Sequence, residues 1–429
     1  MKIVAVLATF SMGGTEKAAI TWLTLLRQRG HEVGVIALEN GPRKSQLDAL
    51  QIETKIAKNL HDLRKAICDF NPDVIHAHCP GFPHRGDILG KALTSLPKKI
   101  PCVQTNIFGR LENPSEDLWT DFRLYISWAS SVQAARRSGK KLDRQFFQRQ
   151  SVAVYPVEDP FQDAPREKLI DLGNAFREEH SIPNDSILFG RFSRPEPNKW
   201  TELALKAFQL ASRQNPRIKL LLREPPHHVA STLKKRPDFS HYLILPLTSD
   251  KKELTRSQMA CDAILHTSSI GESFGYGIAE PMALGKPILT HSIPWLDQAQ
   301  VELVRHGVDG LIASTPQSLA RAILTIANNS ELRAQFGESA RTRILTIASP
   351  QTSITRLETC LVAATQKKDN PFWIDDIATA TATAKSLDID QWGHYWSEAL
   401  YLRVLSLRKQ LGRIKRKLIF NSKLFACRK

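Results

Sequence analysis

Two glutamates separated by seven residues, Glu272 and Glu280, are the side chains whose type and spacing most directly suggest chemistry. Gly275 and Gly277 lie between them and free the backbone of a turn that opens a short helix, which Gly285 ends. Such a turn directs unpaired N–H groups and the positive end of the helix dipole toward one point, and this attracts a phosphate. A carboxylate further along the helix can accept hydrogen bonds from ribose hydroxyls. The stretch therefore predicts a site for a nucleotide diphosphate sugar, with Glu280 on the ribose and Glu272 facing the sugar hydroxyls.

Basic side chains upstream of this stretch suit the diphosphate of such a ligand. Arg191 ends an apolar run, and Lys199 lies just before a predicted helix, after a loop that contains Arg194. Arginine offers a planar fork that matches a diphosphate, whereas lysine offers a compact charge. Each charge-assisted hydrogen bond contributes about 1.5–3 kcal/mol. We therefore expect Arg191 and Lys199 to face the diphosphate, with Arg194 able to replace either.

Alternating strands and helices must position these residues. Short apolar runs separated by helical patterns occur at residues 3–7, 31–38, 73–78, 102–105, 124–127 and 152–155, and the alternation restarts near residue 187. This order is typical of α/β proteins with doubly wound parallel sheets, which bind ligands at the carboxyl ends of their strands. A segment rich in Pro, Asp and Glu interrupts it and predicts a domain boundary. We expect an N-terminal domain at 1–160, a linker region at 161–185, a C-terminal domain at 186–366, and at 367–429 a second linker followed by a basic helix. The second linker is expected at 369–390, where the sequence carries an Ala-Thr repeat.

His76 and His78 lie at the end of one predicted strand, where side chains of a parallel sheet reach the ligand crevice. Alternation along the strand puts both on the same face. A metal site would need a third ligand, and none is nearby in sequence. We take His78, which is nearer the strand end, as the candidate cleft residue.

The stretch around the two glutamates, with Phe274-Gly275 inside it and Gly285-Lys286-Pro287 behind it, resembles the Glu-x7-Glu signature of retaining glycosyltransferases of family 4. Gly190-Arg191 and Lys199 are similar to the Gly-Arg-x(n)-Lys-Gly element with which that family grips the donor pyrophosphate, although Trp200 replaces the usual second glycine. The resemblance covers roughly residues 1–365. It implies a GT-B fold, in which two doubly wound domains face each other across the active site.

The resemblance also implies roles in the N-terminal half. Gly13-Gly14, followed by Thr15-Glu16-Lys17, resembles the loop with which many family members begin, and there the loop faces the cleft. Where many relatives carry a sugar-contacting histidine, this chain has Asn106, which can hydrogen-bond a hydroxyl but cannot hold a proton. The catalytic candidates are thus Glu272, Arg191, Lys199, His78 and Asn106, and the donor-binding candidates are Gly13, Gly14, Arg191, Arg194, Lys199, Glu272, Ser273, Phe274, Gly275 and Glu280.

The activity implied by the resemblance is transfer of a sugar, with retention, from a nucleotide diphosphate sugar to an acceptor hydroxyl. The acceptor would be a glycan or a lipid-linked molecule in cell-surface glycan or glycolipid synthesis. No metal and no separate cofactor is expected, because Arg191, Lys199 and the helix dipole would stabilise the departing nucleotide diphosphate.

Composition narrows the class of protein. The chain of 429 residues is 42% hydrophobic and 24% charged, as expected of globular domains. Its six cysteines are scattered without a Cys-x-x-Cys pair, so neither a zinc site nor a disulfide framework is indicated, and a reducing cytoplasm fits best. The first apolar run is too short for a signal peptide, and no apolar run is long enough to span a membrane.

The C-terminal segment is strongly basic. Residues 399–429 contain ten Lys or Arg and no acid, so they supply ten of the sixteen net positive charges. Leucine, isoleucine and valine recur there every three or four residues, which predicts a basic amphipathic helix. An anionic membrane surface, the protein's own surface and a homodimer seam all remain open as its partner. Nucleic acid is not expected, because aromatic and basic residues do not interleave.

Three rival functions remain to be tested. A dinucleotide-binding dehydrogenase would use Glu39 on a ribose, but the Gly-x-Gly-x-x-Gly fingerprint is missing. A non-catalytic protein that binds a sugar nucleotide or a glycan on the same fold would explain Asn106. A scaffold protein would use the basic tail as its functional part.

Overall fold

The computed structural model describes residues 1–79, 83–110, 118–248 and 250–387. Within these residues the chain forms two parallel sheets with helices on both faces of each. The prediction of two doubly wound domains is therefore confirmed.

The N-terminal sheet has seven parallel strands in the order β3-β2-β1-β4-β5-β6-β7. The strands are β1 Lys2–Thr9, β2 Glu32–Glu39, β3 Glu53–Ile56, β4 Val74–Cys79, β5 Cys102–Asn106, β6 Phe122–Tyr125 and β7 Gln150–Val152. The helices are α1 Gly14–Gln28, α2 Lys44–Ala49, α3 Leu60–Phe70, α4 Pro83–Thr94, α5 Trp128–Arg137 and α6 Arg144–Phe147. β1 lies between β2 and β4, and Ile3 pairs with Val33 and Val74. Apolar runs form these strands because helices cover both faces of the sheet.

The C-terminal sheet has six parallel strands in the order β10-β9-β8-β11-β13-β15, beside a parallel pair of two-residue strands, β12 and β14. The strands are β8 Ile187–Phe192, β9 Ile218–Arg223, β10 Tyr242–Leu245, β11 Ala263–Leu265, β12 Gly271–Glu272, β13 Ile288–Thr290, β14 Asp297–Gln298 and β15 Gly310–Ile312. The helices from the boundary onward are α7 Pro160–Asp163, α8 Arg166–Glu179, α9 Glu202–Ser212, α10 His227–Lys234, α11 Lys251–Ala260, α12 Tyr276–Ala283, α13 Ala299–Leu303, α14 Pro316–Asn328 and α15 Ser330–Ile347.

The chain then returns to the N-terminal domain through α16, Pro350–Thr365. The Trp22 indole N–H of α1 donates to Ser353 Oγ at 2.8 Å, and that hydroxyl donates to the Val154 carbonyl at 2.5 Å. Glu358 accepts hydrogen bonds from Arg29 and from His31. These contacts fix α16 against α1 and the end of the first sheet.

The segment after α16 differs from the sequence prediction. A linker was expected from residue 369 to residue 390, but Trp373–Lys385 forms a helix, α17, that packs on α5 and α6. Asp376, which is fully buried, accepts hydrogen bonds from Ser151, Arg356 and Asn370. The helix was not predicted because its Ala-Thr repeat has no clear apolar stripe. A buried carboxylate and its hydrogen-bond partners hold this helix in place instead.

The predicted basic helix at 399–429 lies outside the described residues. Among the helices that are described, none combines the length and the apolar character needed to cross a membrane.

Candidate active site

A cleft of about 1310 Å³ lies between the two domains. Loops that follow strands of both sheets line it, including Gly13 and Gly14 after β1, Phe108 after β5, Ser193 after β8 and His266 after β11. The carboxyl ends of parallel strands meet at one edge of each sheet, so residues far apart in sequence converge on the cleft.

Lys199 and Glu272 meet in this cleft from two different strand-to-helix connections. Lys199 Nζ lies 2.9 Å from Glu272 Oε2, and both side chains are largely buried. His266 Nε2 lies 3.1 Å from Glu272 Oε1, and the Glu272 amide donates to Gln300 Oε1 at 3.0 Å. The carboxylate is thus fixed between an ammonium group and an imidazole N–H.

The charge state of this group follows from its contacts. Burial alone would raise the pKa of Glu272, but Lys199 and His266 outweigh burial and lower that pKa to about 2. Burial lowers the pKa of His266 despite its bond to Glu272. At neutral pH the site therefore holds an ionised Glu272 and a neutral His266 that donates to it through Nε2.

The helix α12 opens directly after Glu272. Gly275 is its N-cap residue at φ 98°, ψ 66°, a left-handed conformation that favours glycine, and no side chain caps the helix. Phe274 is buried beside it and packs edge-to-face on Tyr155 and Tyr276. Ser273 and Gly275 line the cleft, so the uncapped first turn of α12 offers N–H groups to a ligand there.

Glu280 also lines the cleft, one turn further along α12, but it is paired across the domain boundary. Its Oε1 accepts a hydrogen bond from Lys17 Nζ, and Lys17 lies 5.0 Å from the centre of the Tyr276 ring. Gly14 approaches the same ring so closely that an added Cβ would lie 3.1 Å from Tyr276 Cδ2. The Gly13-Gly14 loop thus contacts the start of α12, and both glycines line the cleft that the sequence analysis expected this loop to face.

Arg191 does not line the cleft. It is 1% exposed, and its guanidinium donates to the carbonyls of Lys199 at 2.7 Å and Thr267 at 2.5 Å while lying 4.2 Å from the Trp200 ring centre. Burial lowers the pKa of Arg191 to about 9. The structure therefore places Arg191 beneath the floor of the cleft, where it supports the Lys199 loop, rather than at the predicted diphosphate contact.

Arg194 does line the cleft and pairs with Glu196 at 2.8 Å, with both side chains well exposed.

His78 and Asn106 lie behind the cleft wall. His78 is 4% exposed, its two ring nitrogens have no partner, and it packs against Trp22 and His76. Asn106 bonds the backbone of Arg110 through both its amide atoms, so it holds the loop after β5. Neither is among the residues that line the cleft, and both side chains are buried.

Several cleft residues were missed by the sequence analysis. His266 follows an apolar strand, and a polar residue at the carboxyl end of a parallel strand is a signal that could have found it. Arg43 and Asp297 carried no such signal. Asp297 lies 3.8 Å from Arg137 across the cleft, and burial raises its pKa to about 6 despite the nearby cations.

Among the described residues, no three His, Cys, Asp or Glu side chains are grouped so that they could hold a metal ion.

Comparisons with known proteins identify the fold of the chain and, for part of it, a matching family. Residues 174–343 match the family described as Glycosyl transferases group 1. No curated protein matches the chain by sequence. Anabaena Alr3699/HepE, solved with UDP-glucose, superposes with a TM-score of 0.69 at 18% identity, over 85% of this chain and 100% of that one.

Two other solved structures are similar at comparable coverage. A glycosyltransferase from Rickettsia africae ESF-5 has a TM-score of 0.67 at 18% identity, over 84% of this chain and 97% of its own. WaaG, a glycosyltransferase involved in lipopolysaccharide biosynthesis, has a TM-score of 0.60 at 13% identity, over 82% and 98%. The fold is GT-B, and the chain is a glycosyltransferase whose residues 174–343, most of the C-terminal domain, match glycosyl transferases group 1.

Proposed function

We propose that the protein transfers a sugar from a nucleotide diphosphate sugar to an acceptor hydroxyl, with retention of configuration and without a metal ion. The observation that carries this proposal is the meeting of Lys199 and Glu272 at 2.9 Å beside the uncapped start of α12. Anabaena HepE, which has the same fold, is solved with UDP-glucose. A nucleotide diphosphate sugar suits this arrangement, because its diphosphate can bind the cation and the helix N-terminus while its sugar hydroxyls bind the carboxylate.

Lys199 stabilises the charge of the leaving nucleotide diphosphate. An ammonium group has three N–H donors, and the contact with Glu272 uses one of them. The others can reach phosphate oxygens, together with the N–H groups at the start of α12. Arg191 contributes as a positioning residue, because it holds the Lys199 carbonyl from below.

Glu272 orients the donor sugar. Its two oxygens accept from Lys199 and His266, and a carboxylate has further lone pairs for sugar hydroxyls. Glu280 binds the ribose in this proposal, so the ligand must share or displace the contact that Lys17 makes with Glu280. The acceptor hydroxyl attacks from the face that the nucleotide leaves, and a donor phosphate oxygen takes its proton.

The pathway we propose is the synthesis of a cell-surface glycan or glycolipid. WaaG, a similar structure, is described as acting in lipopolysaccharide biosynthesis. The basic segment at 399–429 would hold the enzyme at the inner face of an anionic membrane, where lipid-linked acceptors are found.

Metal independence is tested by adding a chelator or a divalent cation. The test is needed because two nearby carboxylates can bind a divalent cation, and the chain contains one Asp-Xaa-Asp sequence, Asp388-Ile389-Asp390, beyond the described residues. We expect the transfer rate with EDTA to match the rate with Mn²⁺ or Mg²⁺. Activity that is lost in EDTA and restored by a divalent cation would contradict this part of the proposal.

A thermal-shift screen against UDP, GDP and ADP tests donor binding. A nucleotide present at a hundred times its dissociation constant stabilises the folded protein by about 2.7 kcal/mol. We expect one nucleotide to raise the melting temperature of the wild type and to have a much smaller effect on Glu280→Ala. The anomeric configuration of the product, read by NMR, then tests retention. No shift with any nucleotide would argue against the proposed function and favour a protein whose tail is its functional part.

A further inference from the structure

Arg43 is a buried cation in the wall of the cleft that the proposed reaction does not use. It lies between β2 and α2 in the N-terminal domain, and its backbone N–H donates to the Phe10 carbonyl at 3.0 Å. It lines the cleft, yet only 9% of its surface is exposed. Buried arginines in proteins are as a rule paired with an acid.

Arg43 has no such pair within the described residues. One terminal nitrogen donates to Gln46 Oε1 at 2.9 Å, whereas Nε is buried without a partner. Burial lowers the pKa of Arg43 from its ordinary value of 12.5. A buried charge that lacks a counter-ion is costly, and a polar atom left unpaired adds to that cost.

The acids whose fields reach Arg43 are engaged elsewhere. Glu280 accepts a hydrogen bond from Lys17. Glu16 is hydrogen-bonded to Ser11 and to its own backbone, and burial raises the pKa of Glu16 although Arg43 opposes this. Among the described residues, neither carboxylate comes close enough to the guanidinium to form an ion pair, although the fields of both favour its charge.

We propose that Arg43 binds an anionic group of the acceptor, either a phosphate or a carboxylate. This inference rests on the proposed function, since it names the class of acceptor that the cleft takes. Lys199 and the start of α12 already provide donors for the nucleotide diphosphate on the C-terminal domain, whereas Arg43 belongs to the opposite wall. A planar guanidinium suits a two-oxygen anion.

The test measures binding of sodium phosphate, and separately of sodium acetate, by calorimetry while the best nucleoside diphosphate from the screen saturates the donor site. Sodium chloride at matched ionic strength serves as the blank. We expect at least one of the two anions to bind the wild type and Arg43→Gln to weaken it at least tenfold. The anion that binds more tightly identifies the acceptor as a phosphate or a carboxylate.

Two further variants separate a lost contact from a damaged fold. Arg43→Lys keeps a cation at this place and should retain weaker binding, while the exposed Arg217→Gln on the C-terminal domain should bind as the wild type does. Melting temperatures without ligand show whether each variant is folded.

Three results would overturn the inference. The first is an unchanged anion affinity in a folded Arg43→Gln. The second is anion binding that the nucleotide abolishes, since this would place the anion in the donor subsite. The third is a lack of anion binding by the wild type. If no nucleotide binds, the proposed function fails, and anion titration without nucleotide still tests Arg43 alone.

Discussion

Glu272 and Asp297 are two carboxylates in one cleft whose pKa values move in opposite directions. Lys199 and His266 touch Glu272, and they lower its pKa to about 2 even though burial opposes this. Asp297 has its cation, Arg137, 3.8 Å away, so burial prevails and raises its pKa to about 6. Because Asp297 pairs through its backbone with Gly271, the two acids belong to adjacent strands. The cleft thus holds one acid that stays ionised and one that titrates close to neutral pH.

Replacing Asp297 by Asn should change how stability depends on pH. An acid whose pKa is raised by folding stabilises the native state below the ordinary pKa of 3.8, and this contribution is lost as pH rises through about 6. We expect the free energy of unfolding of Asp297→Asn, relative to that of the wild type, to increase from pH 4 to pH 7.5 by about 2–3 kcal/mol. Urea denaturation across this range measures the gain.

The exposed Asp171 provides a matched control, since Asp171→Asn should follow the wild type at every pH. If the free energies of unfolding of Asp297→Asn and the wild type differ by the same amount from pH 4 to pH 7.5, folding does not raise the pKa of Asp297.

At the residue scale, most of the candidates named from the sequence reach the cleft. Lys199, Glu272 and Glu280 could be found because they follow strand ends in glycine- or proline-rich connections, where side chains of a doubly wound sheet converge. The depth of a side chain could not be predicted. Arg191 lies below the floor because carbonyls of Lys199 and Thr267 accept its N–H groups, and those contacts depend on the folded loops. Asp297 was missed because its place depends on pairing with a strand 26 residues away.

At the scale of elements, α17 shows how a helix without a clear apolar stripe is anchored. Trp373 lies under Arg144, and Asp376 is buried with Ser151, Arg356 and Asn370 as partners. The anchoring contacts join α17 to α16 and to β7, the edge strand of the first sheet. Sequence alone predicted a linker because an aspartate in an Ala-Thr repeat is ordinarily exposed.

Removing the anchor should release this helix. Asp376→Ala leaves the Arg356 charge and two further polar groups buried without their partner, and such losses cost about 3–5 kcal/mol. We expect faster hydrogen exchange over 373–385 and a lower urea midpoint. Asp375→Ala, which changes the exposed neighbouring acid, should leave both measurements near those of the wild type. Equal exchange in the two variants would show that Asp376 does not hold α17.

At the scale of the whole molecule, the alternation of strands and helices was enough to predict both sheets. The contacts that join the domains were not predictable, because each depends on how the two sheets face each other. The Tyr276 hydroxyl donates to the Pro156 carbonyl at 3.1 Å, and the buried Glu302 accepts from the backbone N–H groups of Trp128 and Ala129 at the start of α5. Lys17 and Glu280 add a further polar contact between the domains. Polar contacts of this kind suit domains that move when a ligand enters or leaves.

The most direct test of the whole account is turnover of the donor by Lys199→Ala and by Glu280→Ala. Both side chains face one cleft and are assigned to one donor, so each variant should lose at least a hundredfold in transfer rate, or about 2.7 kcal/mol of transition-state stabilisation. Lys206→Ala removes a lysine that pairs with Glu202 at the same 2.9 Å but on an exposed helix surface, and it should turn over normally. Near-normal turnover in a folded Lys199→Ala or Glu280→Ala would contradict the claim that this cleft performs the transfer.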